Sequence, residues 1–164
     1  MKEEGNKLIV RRIKNGTVID HIPGGQALNV LKILGITGEE GYTVALLMNV
    51  RSKKIGKKDI VKIENRELDP KEVDKIALLA PEATINTIRD YSVVKKTKVK
   101  LPSIIKEIVT CVNPNCITNK QGEPVVPTFK VVSSEPLVLC CEYCGTYVNQ
   151  NDIIEQYSRA AAKR

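Results

Sequence analysis

Tryptophan is absent from this 164-residue chain, phenylalanine and histidine each occur once, and aromatic residues make up 4% of it. Platforms for stacking nucleobases are therefore scarce, and aliphatic side chains must carry the core. The lone His21 leaves no pair of imidazoles for a catalytic metal or an acid–base relay. Long apolar runs are missing too: Val44 to Met48 and Ile76 to Ala80 fall far short of the roughly 20 residues that cross a bilayer. Neither Gly-x-x-x-x-Gly-Lys-Ser/Thr nor Gly-x-Gly-x-x-Gly occurs, so ATP hydrolysis and dinucleotide chemistry lack support. Met1 to Lys7 is charged and unlike a signal peptide. The expected compartment is the cytoplasm, where thiols stay reduced.

What remains is an ordinary globular composition, 42% hydrophobic and 27% charged, with a formal net charge of +7. That charge is unevenly placed. Residues 1–100 hold 20 Lys and Arg against 13 Asp and Glu, whereas residues 101–164 hold 6 against 6. The asymmetry predicts two modules, 1–100 and 101–164, with a linker near 98–103 at the Leu101-Pro102 step. An anionic partner suits the first, although a basic surface is also what a merely solvated face looks like.

Hydrophobic patterning predicts a strand at Leu8 to Ile13 ending at the Asn15-Gly16 turn. A helix opened by Pro23-Gly24-Gly25 follows, with Ala27, Leu28, Leu31 and Leu34 as its stripe and Gly35 as its end. Thr43 to Val50 reads as a strand covered on both faces. Beyond the basic Arg51 to Lys58 loop, Ile60 to Glu64 reads as a strand with Val61 and Ile63 on one face and Lys58, Ile60 and Lys62 on the other. Asp69-Pro70 starts a second helix striped by Val73, Ile76, Ala77 and Ala80 and stopped by Pro81. Ala83 to Asp90 and Tyr91 to Lys100 are extended. This order predicts an α+β fold, a ferredoxin-like antiparallel sheet with both helices on one face. In the second module short strands are expected near Thr128 to Val132, Leu137 to Cys140 and Thr146 to Val148. A final helix is expected from a cap at Asn151, with Ile153, Ile154, Tyr157 and Ala161 inward.

Cys111-Val-Asn-Pro-Asn-Cys116 and Cys141-Glu-Tyr-Cys144 are two knuckles whose tight spacing lets each pair of thiolates reach one tetrahedral ion. Four thiolates, from Cys111, Cys116, Cys141 and Cys144, select zinc over harder cations and leave no position for water or substrate, so the metal is structural and the module resembles a zinc ribbon. Iron satisfies the same geometry. Cys140 is an alternative to Cys141, but the compact spacing favours Cys141 and leaves Cys140 as a buried free thiol.

In the basic module, Asp20-His21-Ile-Pro-Gly-Gly precedes a helix start, Lys58 and Lys62 share a strand face, and Lys95, Lys96, Lys98 and Lys100 crowd the last extended segment. Lysine suits phosphate as a point charge. Asn15-Gly-Thr-Val-Ile-Asp-His-Ile-Pro23, Gly56-Lys-Lys-Asp-Ile-Val-Lys-Ile-Glu-Asn65, Ala80-Pro-Glu-Ala-Thr-Ile-Asn86 and the two cysteine knuckles together resemble the regulatory chains of aspartate carbamoyltransferase, in order and over nearly the whole chain. The resemblance implies a non-catalytic subunit with an allosteric nucleotide-binding domain and a zinc domain that docks on catalytic chains. Regulatory homodimers then hold catalytic trimers together, and CTP, UTP and ATP are the implied effectors, serving pyrimidine biosynthesis.

Carried over by position, the effector site would use Val10, Arg11, Arg12 and Ile13, then Asp20 and His21, then Lys62, and Tyr91, Val93 and Lys96, with Lys58 beside them. Backbone groups at Ile13, Tyr91 and Val93 would read the base, and lysines the phosphates. The chain departs from the family in carrying Lys95 where Gly is usual. A regular strand would also put Lys96 on the opposite face from Tyr91 and Val93, so Lys95 and Lys96 are alternatives for the phosphate. Asn113 and Asn115 resemble positions that touch the catalytic chain, though Asn and Pro are also plain turn residues.

Two other classes compete. A zinc-ribbon nucleic-acid-binding protein fits the pI of about 9.2, but a zinc module with balanced charge is a poor phosphate binder. A zinc enzyme is disfavoured by the closed site.

Overall fold

The computed structural model describes residues 10–162. Gly16–Pro23 (β1), Ala27–Ile33 (α1), Val44–Ser52 (β2), Gly56–Glu64 (β3), Pro70–Ala77 (α2), Thr84–Arg89 (β4) and Ser92–Lys98 (β5) form the first unit. Its antiparallel sheet runs β2-β3-β1-β4-β5, the expected ferredoxin-like arrangement with one added edge strand. Its core face carries Ile19, Val61, Ile63 and Ile85 against Val30 and Ile33 of α1 and Ile76 of α2.

The first strand is displaced from its expected place. Residues 10–13 are not in a strand, Leu8 and Ile9 lie outside the described residues, and the strand begins at Gly16. Asn15-Gly16 is a strand entrance, not a turn after one. Gly16 has φ +141°, and a Cβ there would run into the Ile63 carbonyl of the neighbouring strand. Only glycine permits that approach.

Other expectations need smaller corrections. Leu28 is half exposed, and the buried stripe of α1 is Ala27, Val30 and Ile33, continued by Leu34. β2 is an edge strand, half-buried along Val44 to Leu47 and exposed at Met48 and Asn49, so its apolar run is not covered on both faces. α2 starts as expected and ends at Ala77, short of Pro81: Asp69 Oδ1 accepts from Glu72 N at 2.8 Å and Glu72 Oε2 accepts from Asp69 N at 3.0 Å, a reciprocal cap with Pro70 in the first turn.

The second unit is an antiparallel sheet, β6-β7-β8-β9, of Ile104–Lys106, Thr128–Ser134, Leu137–Cys141 and Tyr147–Asn149, followed by α3 (Gln150–Ala162). The cap of α3 is Asn149, not Asn151. Its Oδ1 accepts from Asp152 N at 2.9 Å, and Asp152 Oδ2 accepts in return from Asn149 N at 3.0 Å. Ile153 is fully buried, and Ile154 and Tyr157 pack on the core; the side chain of Ala161 lies outside the described residues. Phe129, Leu139 and Val148 are fully buried beside Ile153. The buried apolar side chains of both units form one continuous cluster. Across the junction Gln150 Nε2 donates to Leu78 O at 3.2 Å and Lys71 pairs with Glu107 at 2.9 Å. Among the described residues, no helix is long and apolar enough to cross a membrane.

Candidate functional site

Two features stand out: the sheet face of the first unit that turns away from the helices, and the cysteine cluster of the second. Three register shifts shape the first. In β1 the shift falls between Ile19 and Ile22, so Asp20 and His21 occupy the space of one residue and His21 takes φ +58°. In β2 it falls between Leu47 and Val50, with Asn49 at φ +58°. In β5 it falls opposite Thr87 and Ile88, which pair with Lys95 and Val93 and leave Val94 as the extra residue. Such bulges re-aim side chains beside binding sites.

The β5 bulge sets which of the two lysines shares a face with Lys62. Cross-strand partners share a face, and Lys96 pairs with Asn86 while Lys95 pairs with Thr87. Asn86 in turn pairs with Val18, and Val18 with Lys62. Lys62, Val18, Asn86 and Lys96 therefore form one row across the open face, together with Val93 opposite Ile88 in the next row. Lys95 points to the other side.

A buried carboxylate holds this framework from behind. Asp59 is fully buried. Its Oδ2 accepts from Gly25 N and Ala27 N, both at 2.9 Å, and its Oδ1 from Asn49 N at 2.8 Å. One side chain thus fixes the entry to α1 and the β2 bulge, and charge-assisted bonds to backbone amides are the strong kind. On the open face, Asp20 Oδ1 lies 3.0 Å from Lys58 Nζ and accepts from His21 N at 2.6 Å, and His21 Nδ1 lies 3.4 Å from Thr84 Oγ1.

Over three members of that row a cleft of 520 Å³ opens among Arg12, Ile13, Lys62, Tyr91 and Val93, floored by Val18, Asn86 and Ile88 and edged by Ser92. Tyr91 adopts φ +63° in the β4–β5 turn, and its N–H donates to Lys14 O at 2.9 Å. This ties the turn to the segment carrying Arg12 and Ile13. Lys62 Nζ reaches Arg11 O at 3.5 Å. Of the expected effector residues, Arg12, Ile13, Lys62, Tyr91 and Val93 meet in the cleft. Lys96 shares the row of Lys62, Asp20, His21 and Lys58 lie further along the same face, Arg11 participates through its carbonyl, and Val10 is half-buried outside the cleft lining. Val18, Asn86, Ile88 and Ser92 were not expected. The three-residue spacing of Ile85 and Ile88 was their signal, since those isoleucines face opposite sides of the sheet.

In the second unit, the sulfurs of Cys111, Cys116, Cys141 and Cys144 all lie within 4.8 Å of one another. Cys111 and Cys144 are 3.5 Å apart and Cys116 and Cys141 3.8 Å. A tetrahedron of thiolates about zinc has edges of about 3.8 Å, so this donor set fits such an ion. Burial pushes the Cys111 thiol up to about 12 and raises that of Cys141, whereas hydrogen bonds to the Thr146 hydroxyl and backbone bring exposed Cys144 down to about 6. A bound cation offsets the burial penalty by its own charge. Thr118 Oγ1 donates to Cys116 Sγ at 3.2 Å, and Asn119 Nδ2 ties Cys111 O and Asn113 O.

Cys140 is half-buried rather than buried. The core parity of β8 is Leu137, Leu139 and Cys141, so Cys140 turns away, its Sγ 3.6 Å from Gly145 O. Asn113 Oδ1 accepts from Asn115 N at 3.0 Å, an Asx turn that leaves Asn115 exposed.

The two stretches of the chain match two domains of one known family. Residues 8–100 match the family described as aspartate carbamoyltransferase regulatory chain, allosteric domain, and residues 103–154 match the corresponding metal binding domain. Proteins named aspartate carbamoyltransferase regulatory chain are similar over nearly their full lengths. That of Hyperthermus butylicus is 62% identical over 154 residues, 94% of this chain and 96% of its own. That of Korarchaeum cryptofilum is 61% identical over 158 residues, 96% and 99% of the two chains. That of Sulfolobus acidocaldarius is 53% identical over 158 residues, 95% and 96%.

Proposed function

Because the chain belongs to the family of aspartate carbamoyltransferase regulatory chains, a non-catalytic subunit by that membership, we propose that it binds nucleoside triphosphates on the open face of its first sheet and docks through its second unit on catalytic chains. CTP, UTP and ATP are the effectors in this reading, and pyrimidine biosynthesis in the cytoplasm is the setting. The division of labour falls at residues 100 and 101, with the allosteric domain before it and the zinc-binding domain after.

The observation that carries the effector reading is the row of Lys62, Val18, Asn86 and Lys96, whose first three members line the Ile13–Tyr91 cleft. Two ammonium groups three strands apart, on side chains long enough to converge, with Lys58 along the same face, suit the charge of a triphosphate. The backbone at Ile13, Tyr91 and Val93 supplies donors and acceptors for a base edge, so no aromatic platform is needed. Arg11 and Arg12 add positive charge at the rim, Val10 continues that segment, and Asp20 and His21 are placed for sugar or phosphate hydroxyls.

Cys111, Cys116, Cys141 and Cys144 are the residues that would hold one zinc ion, which supplies folding free energy and no catalytic position. This chain's own groups do the rest. Thr118 and Thr146 orient sulfurs, and Asn119 shapes the Cys111–Cys116 loop that presents Val112 and Asn115 to solvent, with Tyr143 exposed on the Cys141–Cys144 knuckle. That surface is the docking face for the catalytic chain. The outer edge of β2, with half-exposed Met48 and Tyr42, is open to pairing with a second copy, which supports a homodimer joining two catalytic trimers.

Calorimetric titration of CTP, UTP and ATP into the chain, with and without Lys62→Ala and Lys96→Ala, tests the effector reading. Binding that both variants lose supports it, and unaltered binding moves the site elsewhere.

A further inference from the structure

Arg51, Lys53, Lys54 and Lys57 surround the tip of the hairpin joining β2 to β3, and all four are exposed. None has an ion-pair partner among the described residues. Arg51 and Lys57 stand directly opposite each other in the ladder, and like charges in that relation weaken a hairpin. A local rule broken without local compensation points to a use for the charge outside folding.

The register says where that charge acts. Lys58, the next residue along β3, turns onto the open face and is held by Asp20. Lys62 follows on the same face, about 14 Å further along the strand. Arg51 and Lys57, one residue out of step with Lys58, turn to the helix side of the sheet, so the tip adds positive charge beyond the end of the open face, opposite the Ile13–Tyr91 cleft. Its four charges lie beyond contact with a nucleotide seated between Lys62 and Tyr91. They remain within the screening length of about 30 Å at 0.01 M salt and fall outside that of about 8 Å at physiological ionic strength, so the effect belongs to low salt.

We infer that the β2–β3 hairpin tip is an electrostatic guide for the effector, raising its association rate in proportion to phosphate charge and so favouring triphosphates over diphosphates and monophosphates. This rests on the nucleotide reading of the open face. Steering charges of this kind change the on-rate and its salt dependence, while the off-rate follows from direct contacts. A nucleic acid is the other polyanion such a tip could attract. The absence of stacking aromatics on the open face, apart from Tyr91 at its far end, favours the small ligand.

Stopped-flow binding to the full chain separates these possibilities, comparing wild type with a quadruple variant, Arg51→Gln, Lys53→Gln, Lys54→Gln and Lys57→Gln. At low salt the variant should bind ATP about tenfold more slowly, with an unchanged off-rate. The deficit should shrink from ATP through ADP to AMP and vanish in high salt. The melting temperature should hold or rise, since the Arg51–Lys57 repulsion is relieved. Equal on-rates for ATP at low salt, or a loss confined to the off-rate, would overturn the guide. Wild-type binding of single-stranded oligonucleotide in preference to ATP, lost in the variant, would overturn it in favour of nucleic acid. Failure of the nucleotide reading itself shows separately, as unaltered ATP affinity in Lys62→Ala and Lys96→Ala.

Discussion

Lys62 of β3 and Lys96 of β5 stand in a single register row of the first sheet, joined through Val18 and Asn86, because Val94 is an extra residue in β5. Without that bulge the row would contain Lys95. One inserted residue thus sets which lysine joins Lys62 on the open face.

Lys62→Ala and Lys96→Ala should each weaken triphosphate binding by about tenfold or more, the effect of losing one charge-assisted contact of about 1.5–3 kcal/mol. Lys95→Ala should bind as wild type does. Calorimetry on the three variants checks this, and a larger loss in Lys95→Ala than in Lys96→Ala would mean that the bulge has been assigned the wrong role.

Asp59→Asn should destabilise the chain by about 2 kcal/mol, since it sets an amide N–H₂ against the backbone N–H groups that the carboxylate accepts from, that of Ala27 being buried. The urea midpoint should fall while metal content stays unchanged, because the cysteines lie in the other unit. A neutral substitution would show that Gly25, Ala27 and Asn49 find other acceptors.

Gly16→Ala should be among the most damaging single-methyl changes in the chain. The added Cβ meets the Ile63 carbonyl, and φ +141° disfavours any L side chain. A loss of more than about 2 kcal/mol in chemical denaturation is expected.

Cys144→Ser should forfeit much of a metal-binding free energy of about 10–16 kcal/mol and unfold the second unit. A thiol-reactive mercurial should do the same. Catalytic trimers should then be released while the first sheet, which has its own buried face, still binds nucleotide. Cys140→Ser should keep both metal and assembly, because its sulfur points toward Gly145 O and away from the cluster. Metal analysis per chain distinguishes zinc from iron in the same experiment.

The parts of the molecule governed by local chemistry were legible in its sequence. Asp69-Pro70 with Glu72 specifies a helix start by side chains within one turn, and the cysteine knuckles specify a tetrahedral cluster by spacing alone. Features depending on neighbouring strands were not. Asn15-Gly16 reads as a turn until the Ile63 carbonyl is seen against Gly16, and Leu28 looks like core until Ala27, Val30 and Ile33 are seen to take the buried face of α1. Cys140 looked buried because the parity of β8 was counted from Val138 instead of Leu137. The bulges at Asp20–His21, Asn49 and Val94 break alternation without a composition signal of their own. The site is therefore readable as a set of charged residues but not as a row. Asp59, a carboxylate on the same strand face as Val61 and Ile63, was the one visible hint that the sheet buries a backbone-binding acid.

The most direct measurement is the aspartate saturation curve of catalytic trimers reconstituted with this chain, with and without CTP, UTP and ATP, for wild type and for the Lys62→Ala, Lys96→Ala double variant. The chain alone should transfer no carbamoyl group. The wild-type complex should shift its curve when nucleotide is added, and the double-variant complex should assemble normally and show no shift. A full nucleotide response in the double variant, or none in the wild type with any of the three nucleotides, would contradict the account.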